Sequence, residues 1–362
     1  MGYSLVILVL SRLVHNPVKR DSIEPKVTYL ITAYNEEKNI ASKLEQVLTL
    51  DYPRDRLEII VASDGSTDRT DDIVKGFADR SVKLIRVEGR AGKTETQNQA
   101  VKMASGEIVI FSDATTRYER SAIRNLVRNY ADPSVGAVSG RYEYCNPTGA
   151  AIGLGSILFW KYENTIKTMQ TNIKTITGCC GCIYSVRREA YTPLPADIIS
   201  DLVEPLKVLE KGYRIVFEPD AIAFEETTEK TKEEFRMRVR VITRGMRGLL
   251  YMKKLFNPFR HGFVAFQLFS HKVLRWFIPI FLTVALVSNL FLVGTHFYNA
   301  MLALQLVFYV LALIGFVAEK HNILAKPLTI PLYFVTVNLA AVIAMYRIWK
   351  GHKAVTWETV RK

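Results

Sequence analysis

Leu57-Glu58-Ile59-Ile60-Val61-Ala62-Ser63-Asp64 runs into Gly65-Ser66-Thr67-Asp68, and Glu107-Ile108-Val109-Ile110-Phe111-Ser112-Asp113 runs into Ala114-Thr115-Thr116. Each is an apolar, β-branched run that closes on a short acidic turn. Such a run reads as a strand buried on both faces, hence a parallel strand covered by helices. In an open parallel sheet the ligand crevice lies beyond the carboxyl ends of the strands. Asp64 and Asp113 are therefore expected at that rim, where two carboxylates on a rigid edge suit a divalent cation and a phosphate-bearing ligand.

Working outward, residues 26 to about 140 alternate strand and helix. Lys26 to Thr32, Leu57 to Ser63, Lys83 to Val87 and Ile108 to Phe111 read as strands. Glu36 to Leu50, with Ile40, Leu44, Val47 and Leu48 on one face, and Ala91 to Ala104 read as helices. Another helix is expected to start at Ser66 or Thr67, both good capping residues. This βαβα order predicts a mostly parallel, doubly wound sheet. Further helices are expected over Ile157 to Thr171 and Leu202 to Lys211.

The chain is long enough, at 362 residues, for this domain and more. Trp276 to Gly294, Ala300 to Ala318 and Pro327 to Tyr346 are uncharged and mostly apolar. Each approaches the ~20 residues that a helix needs to cross the hydrocarbon core, so the sequence reads as an integral membrane protein. Gly2 to Leu10 is about half a span, and reads either as the remnant of a longer helix or as a segment lying in the interface.

The net charge of +13 concentrates ahead of the first long run: Arg236 to Arg275 carries Lys and Arg without one Asp or Glu. Leu249, Leu250, Tyr251, Leu255, Phe256, Phe259, Phe263, Phe266 and Phe269 interleave with it. That pattern suits an amphipathic helix on anionic membrane lipids rather than a nucleic-acid surface. Basic residues beside a span favour the cytoplasm, which places the catalytic part there. Three spans then put the basic tail, Lys350 to Lys362, on the opposite side unless one span is re-entrant. The domain reading is an apolar stub over 1–25, the sheet over 26–235, the basic segment over 236–275, three spans over 276–350 and a tail over 351–362. The cysteines fall between Cys145 and Cys182 without zinc-like spacing and read as free thiols.

Val27-Thr28-Tyr29-Leu30-Ile31-Thr32 leads into Ala33-Tyr34-Asn35-Glu36. With the two acidic turns, this strand end makes the chain resemble the family-2 glycosyltransferases of the GT-A fold, in the membrane-embedded branch of cellulose, chitin and hyaluronan synthases. The resemblance implies that Ala33, Tyr34, Asn35 and Glu36 form the first nucleotide-contacting turn and that Asp64 contacts the base or ribose. Lys93, in Gly89-Arg90-Ala91-Gly92-Lys93, would lie near the diphosphate. Asp113 and Thr115 occupy the place of the family's Asp-x-Asp motif, which holds Mg²⁺ or Mn²⁺, with Thr115 in place of the second acid. Gly178-Cys179-Cys180-Gly181 resembles the turn beneath the acceptor. Ser200-Asp201-Leu202-Val203-Glu204 resembles the motif supplying the catalytic base, which makes Asp201 the base and Glu204 the next candidate. Arg240 or Arg244 would neutralise the diphosphate in the segment that processive synthases mark with Gln-x-x-Arg-Trp. The missing Trp removes a stacking platform and argues against long-polymer synthesis.

What the resemblance implies is an inverting transfer of a sugar from a nucleotide-diphosphate donor, with UDP as the expected nucleotide, to a glycan or lipid-linked acceptor. A catalytically silent nucleotide-binding scaffold and a nucleotidyltransferase are the alternatives that share parts of the pattern.

Overall fold

The computed structural model describes residues 2–146, 151–228, 230–321, 323 and 326–352. The expected tail therefore lies almost wholly outside the described residues. Helix α1 (Gly2–Leu13) precedes the sheet. The first half then alternates as the sequence predicts: β1 (Val27–Ala33), α2 (Ile40–Val47), β2 (Leu57–Ser63), α3 (Thr70–Lys75), β3 (Val82–Arg86), α4 (Lys93–Met103) and β4 (Ile108–Asp113). All seven positions of both β1 and β2 are buried, because helices cover the two faces of these parallel strands.

The second half is less regular. It contains β5 (Arg117–Tyr118), α5 (Ala122–Val127), β6 (Val135–Cys145), α6 (Ala151–Ile173), β7 (Tyr184–Arg187), α7 (Ser200–Glu210) and β8 (Arg214–Glu226). The sheet has eight strands in the order β3-β2-β1-β4-β7-β6-β8-β5. Pairing is parallel from β3 to β4 and between β6 and β8, but antiparallel at β4–β7, β6–β7 and β5–β8. The sheet is thus mixed, with its longer pairings parallel as expected: the apolar runs predicted the first half, and the antiparallel insertion of β7 came from a short strand without a distinctive period.

Register fixes the rim. Thr32 of β1 lies beside Asp113 of β4, and Ala33 of β1 lies beside Ser63 of β2. Three strand ends therefore meet side by side at the carboxyl edge. Two helices start later than expected. Ser66 and Thr67 are taken up by Asn35, and the Asp68 carboxylate accepts instead from the Thr70 amide at 3.0 Å, so α3 begins at Thr70. Asn35 adopts φ +52°, which breaks the chain direction before α2.

The carboxy-terminal part is helical: α8 (Thr231–Tyr251), α9 (Pro258–Gln267), α10 (Leu274–Phe291), α11 (His296–Lys320) and α12 (Thr329–Trp349). Asn257 caps α9 by accepting from the Phe259 amide, with Pro258 at the first position, where a missing donor costs least. Among the described residues three helices are long and apolar enough to cross a membrane: Pro258–Phe291, His296–Lys320 and Thr329–Trp349. The basic segment is not one surface helix. Val239, Ile242, Thr243, Arg244, Gly245, Gly248 and Leu249 bury the inner face of α8. That face packs on α7 and, through Ala340, Ala341 and Ala344, on α12, so the spans are docked directly behind the sheet's rim. Helix α1 packs along α6, where Gln170 donates to the Tyr3 hydroxyl and Ile7 is fully buried.

Candidate active site

The second acidic turn builds the centre. Asp113 ends β4 and forms an ion pair with Lys93, the first residue of α4. Burial alone depresses the Lys93 ammonium, but the Asp113 charge outweighs it and raises its pKa. Beneath the turn lies Lys43 of α2, 2% exposed. Its Nζ donates to Ser112 Oγ at 2.8 Å, to Tyr29 Oη at 3.0 Å and to the Thr116 carbonyl. Burial pushes its pKa down to about 7, against the pull of Asp113. Lys43 was not singled out from the sequence, yet a signal exists: a lysine sits on the helix face shared by Ile40, Leu44 and Val47.

Asp64 sits at the predicted strand end but faces inward. It is 0% exposed, and its carboxylate accepts from the Ala91 amide at 2.8 Å, the Gly92 amide at 3.0 Å and Thr96 Oγ1 at 3.0 Å. Its carboxylate clamps the loop that starts α4, holding two backbone amides and a hydroxyl. The two loops also touch. Gly65, at φ +67°, lies so close to Gly89 that an added Cβ would fall 2.3 Å from the Gly89 carbonyl oxygen. Only glycine fits both demands.

The first turn divides its labour. Ala33 is buried, and its carbonyl takes the Asp64 amide at 2.9 Å. Asn35 ties to the second turn, its Oδ1 accepting from the Thr67 amide at 2.8 Å. The Arg90 guanidinium lies 3.7 Å from the centre of the Tyr34 ring. Of these four residues Glu36 lines the central cavity.

That cavity, about 280 Å³, also collects Lys93, Asp113, Thr115, Asp201, Arg240 and Arg244. Seven site residues scattered along the sequence, Glu36 included, therefore converge, while Asp64 and Asn35 hold neighbouring loops. Asp201 opens α7 opposite Gly181. A Cβ at Gly181 would fall 2.4 Å from Asp201 Oδ2, so the glycine leaves the space that the carboxylate occupies. Burial, with the charge of Asp113 in support, raises the Asp201 pKa, against the opposing Lys93 and Arg244. Glu204, three residues on, is 0% exposed and points into the protein core, away from the cavity lining. Burial pushes its pKa up to about 8. Arg240 and Arg244 stand one turn apart on α8, and Arg244 Nη2 donates to the Ile198 carbonyl at 3.1 Å.

Three aromatic residues and one acid not singled out from the sequence complete the wall. Tyr142, Tyr144 and Trp160 line the same cavity, with the Tyr142 ring 4.6 Å from Tyr144 and 4.9 Å from Trp160. Glu225, near the end of β8, accepts from Thr115 Oγ1 at 2.6 Å and from the Tyr142 hydroxyl. Cys180 and Cys182, free thiols like Cys145 and Cys179, bring their sulfurs within 3.4 Å of each other under the turn facing Asp201.

Carboxylates at the ends of two strands that flank β1, a lysine against one of them and an acid at a helix start opposite are the marks of an open α/β transferase. Residues 28–193 match the model of Glycosyl transferase family 2, so this segment carries a family-2 glycosyltransferase domain. It is similar to the "Probable glycosyltransferase YdaM" of Bacillus subtilis (strain 168), 29% identical over 312 residues, covering 82% of this chain and 73% of that one. It is also similar to the "Poly-beta-1,6-N-acetyl-D-glucosamine synthase" of Staphylococcus aureus (strain COL), 28% identical over 230 residues. That alignment covers 62% of this chain, which spans only 55% of the synthase. In fold it is similar to "Mannosyltransferase PcManGT from Pyrobaculum calidifontis in complex with GDP-Man and Mn2+". The TM-score is 0.71 at 22% identity, over 96% of this chain and 95% of that one.

Proposed function

We propose that this chain is a membrane-seated inverting glycosyltransferase that moves a sugar from a UDP-linked donor to a hydroxyl of a glycan or lipid-linked acceptor. The observation that carries this reading is the opposition, across one cavity, of the Lys93–Asp113 pair and Asp201. Asp201 takes the proton of the acceptor hydroxyl as its oxygen attacks the anomeric carbon; the new C–O bond forms as the bond to the diphosphate oxygen breaks. The raised pKa of Asp201 makes it a stronger base than an ordinary carboxylate. Lys93, Arg240 and Arg244 meet the charge that develops on the leaving diphosphate. These cations are already in place before the reaction.

Asp113 and Thr115 are the residues that would hold Mg²⁺ or Mn²⁺, and their hard oxygen donors fit such an ion. Among the described residues no group of three or more His, Cys, Asp or Glu gathers for a metal. Mg²⁺ is commonly held by one or two carboxylates with substrate phosphates and water. Bound there, the ion supplies neutralisation of the diphosphate. Tyr142, Tyr144 and Trp160 offer an apolar ring surface for the acceptor sugar, which supports a glycan acceptor even without the Trp of the Gln-x-x-Arg-Trp segment.

The basic collar from Arg236 to Arg275 supports a cytoplasmic catalytic domain resting on anionic lipids. Labelling a cysteine placed at Trp357 from either side of sealed vesicles tests the topology.

Incubating the full chain in lipid with UDP- and GDP-sugars, Mn²⁺ and glycan acceptors tests the activity. Release of nucleoside diphosphate with a mass gain of one or more sugars is expected. Pyrophosphate release from a nucleoside triphosphate would instead mark nucleotidyl transfer, and donor binding without turnover would mark a silent scaffold.

A further inference from the structure

Thr115 leaves the metal turn with one carboxylate, yet the sheet brings a second acid to the same place from its far edge. We propose that Glu225 of β8 supplies the second anionic oxygen for the divalent cation at Asp113, the contact that the Asp-Ala-Thr sequence lacks. The proposal rests on the reading of this cavity as a metal-dependent transfer site.

The placement follows from topology. Strand β5 begins two residues after Thr115 and pairs with β8, Arg117 opposite Phe224. Glu225, the next residue, therefore lies alongside the metal turn, and on its other side it is registered with Tyr144 of β6. Two hydroxyls aim its carboxylate: Thr115 Oγ1 donates to Oε1 at 2.6 Å, and Tyr142 Oη donates to Oε2. Glu225 lines the cavity that holds Asp113 and Asp201, and it also lines a neighbouring cavity of about 800 Å³ that reaches Lys38 and Lys230. It stands on the wall between the two.

The chemistry fits the position. A hard divalent cation takes oxygen ligands and keeps only one or two carboxylates when phosphates complete its shell. Asp113 and Glu225 would provide two negative charges. The Thr115 hydroxyl, where the second acid of the motif would stand, hydrogen-bonds Glu225 instead. The motif's charge is thus moved in sequence but kept in space. A purely structural Glu225, tethering β8 to the turn, would leave metal affinity unchanged when its charge alone is removed.

The test is Mn²⁺ binding, followed by the electron paramagnetic resonance of the free ion, in the full-length protein with UDP or GDP present. Glu225→Gln is expected to weaken Mn²⁺ by about tenfold to a hundredfold, and adding Thr115→Asp to that variant is expected to recover most of the loss. Wild-type affinity in Glu225→Gln would overturn the proposal and leave the metal-dependent reading standing. Absence of Mn²⁺ binding by the wild type would overturn both. Should Glu225→Gln not fold, the wild type itself decides: Fe²⁺ in place of Mn²⁺, with peroxide and ascorbate, cuts the backbone near its ligands. Cuts at both Asp113 and Glu225 are expected, and cuts at Asp113 alone would overturn the assignment.

Discussion

The two halves of the sheet contribute to the cavity in different ways. From β3 to β4 the strands are parallel and close in sequence, and Asp64, Lys93 and Asp113 come from the ends of β2 and β4 or from α4 between them in the chain. From β7 to β5 the pairing is mixed, and Tyr142, Trp160, Asp201 and Glu225 come from strands and helices that meet only after long crossings. On the reading proposed above, the first half offers a cation, Lys93, and an acid, Asp113, to a diphosphate, and the second half a base, rings and a further acid. Binding of the nucleotide and chemistry on the acceptor are therefore separable by mutation.

The sharpest separation is Asp201→Asn. The amide keeps the size but cannot take the acceptor's proton, so turnover should fall by ~10²–10⁴-fold. Donor affinity should stay close to wild type, measured by calorimetry with UDP and Mn²⁺. Near-normal turnover, or a loss of nucleotide affinity as large as that of Asp113→Asn, would erase the distinction between the halves.

A smaller effect is expected in the first half. Lys43→Met fills the space but leaves the hydroxyls of Tyr29 and Ser112 and the Thr116 carbonyl without their shared donor. A buried polar group left unpaired costs about 1–3 kcal/mol. Stability should fall in chemical denaturation, and Mn²⁺ affinity should fall with it because the Asp113 turn loses its support. Loss of stability with unchanged metal affinity would show that the turn holds its shape without Lys43.

Smaller still is Trp160→Ala. An aromatic contact is worth about 0.5–1.5 kcal/mol beyond its area, so the acceptor KM should rise several-fold while the donor KM stays unchanged. An equal rise in both would mean that the ring supports the fold of the cavity rather than an acceptor sugar.

The contrast also explains what the sequence disclosed. β1, β2 and β4 are runs buried along almost their whole length, so periodicity located them within a residue or two, and Asp113 came with them, whereas Lys93 entered only through the family resemblance. Asp64 was located but its inward contacts were not: nothing in Gly65-Ser66-Thr67-Asp68 says that amides from residues 91 and 92 will bind its carboxylate. Glu225 was invisible for the same reason. Its partner Thr115 lies on another strand crossing, and a glutamate ending an alternating strand looks like any solvated end. The three apolar runs were legible because length and composition suffice. The burial of α8 was not, because arginines every few residues look like a wet face until α12 is laid against the opposite one.

The last prediction concerns a residue on the same helix as Asp201 that should leave turnover untouched. Glu204 is wholly buried, both its carboxyl oxygens are without hydrogen-bond partners, and its pKa is pushed from 4.5 up to about 8 by desolvation. In the unfolded chain the group loses its proton near its ordinary value, whereas in the fold it keeps it until about pH 8. Between these limits the folded protein binds the additional proton, so stability falls as pH rises. The contribution is fully present below the ordinary carboxylate pKa and lost as pH passes through about 8. Glu204→Gln keeps the volume and removes the titration. Its melting temperature should decline less than that of the wild type between pH 5 and pH 8, scanned at fixed ionic strength. Its turnover should match the wild type near pH 6, because Glu204 does not line the cavity. Parallel melting curves for the two proteins would show that Glu204 is hydrated or partnered in solution. A loss of turnover on the scale of Asp201→Asn would move the base one turn along α7.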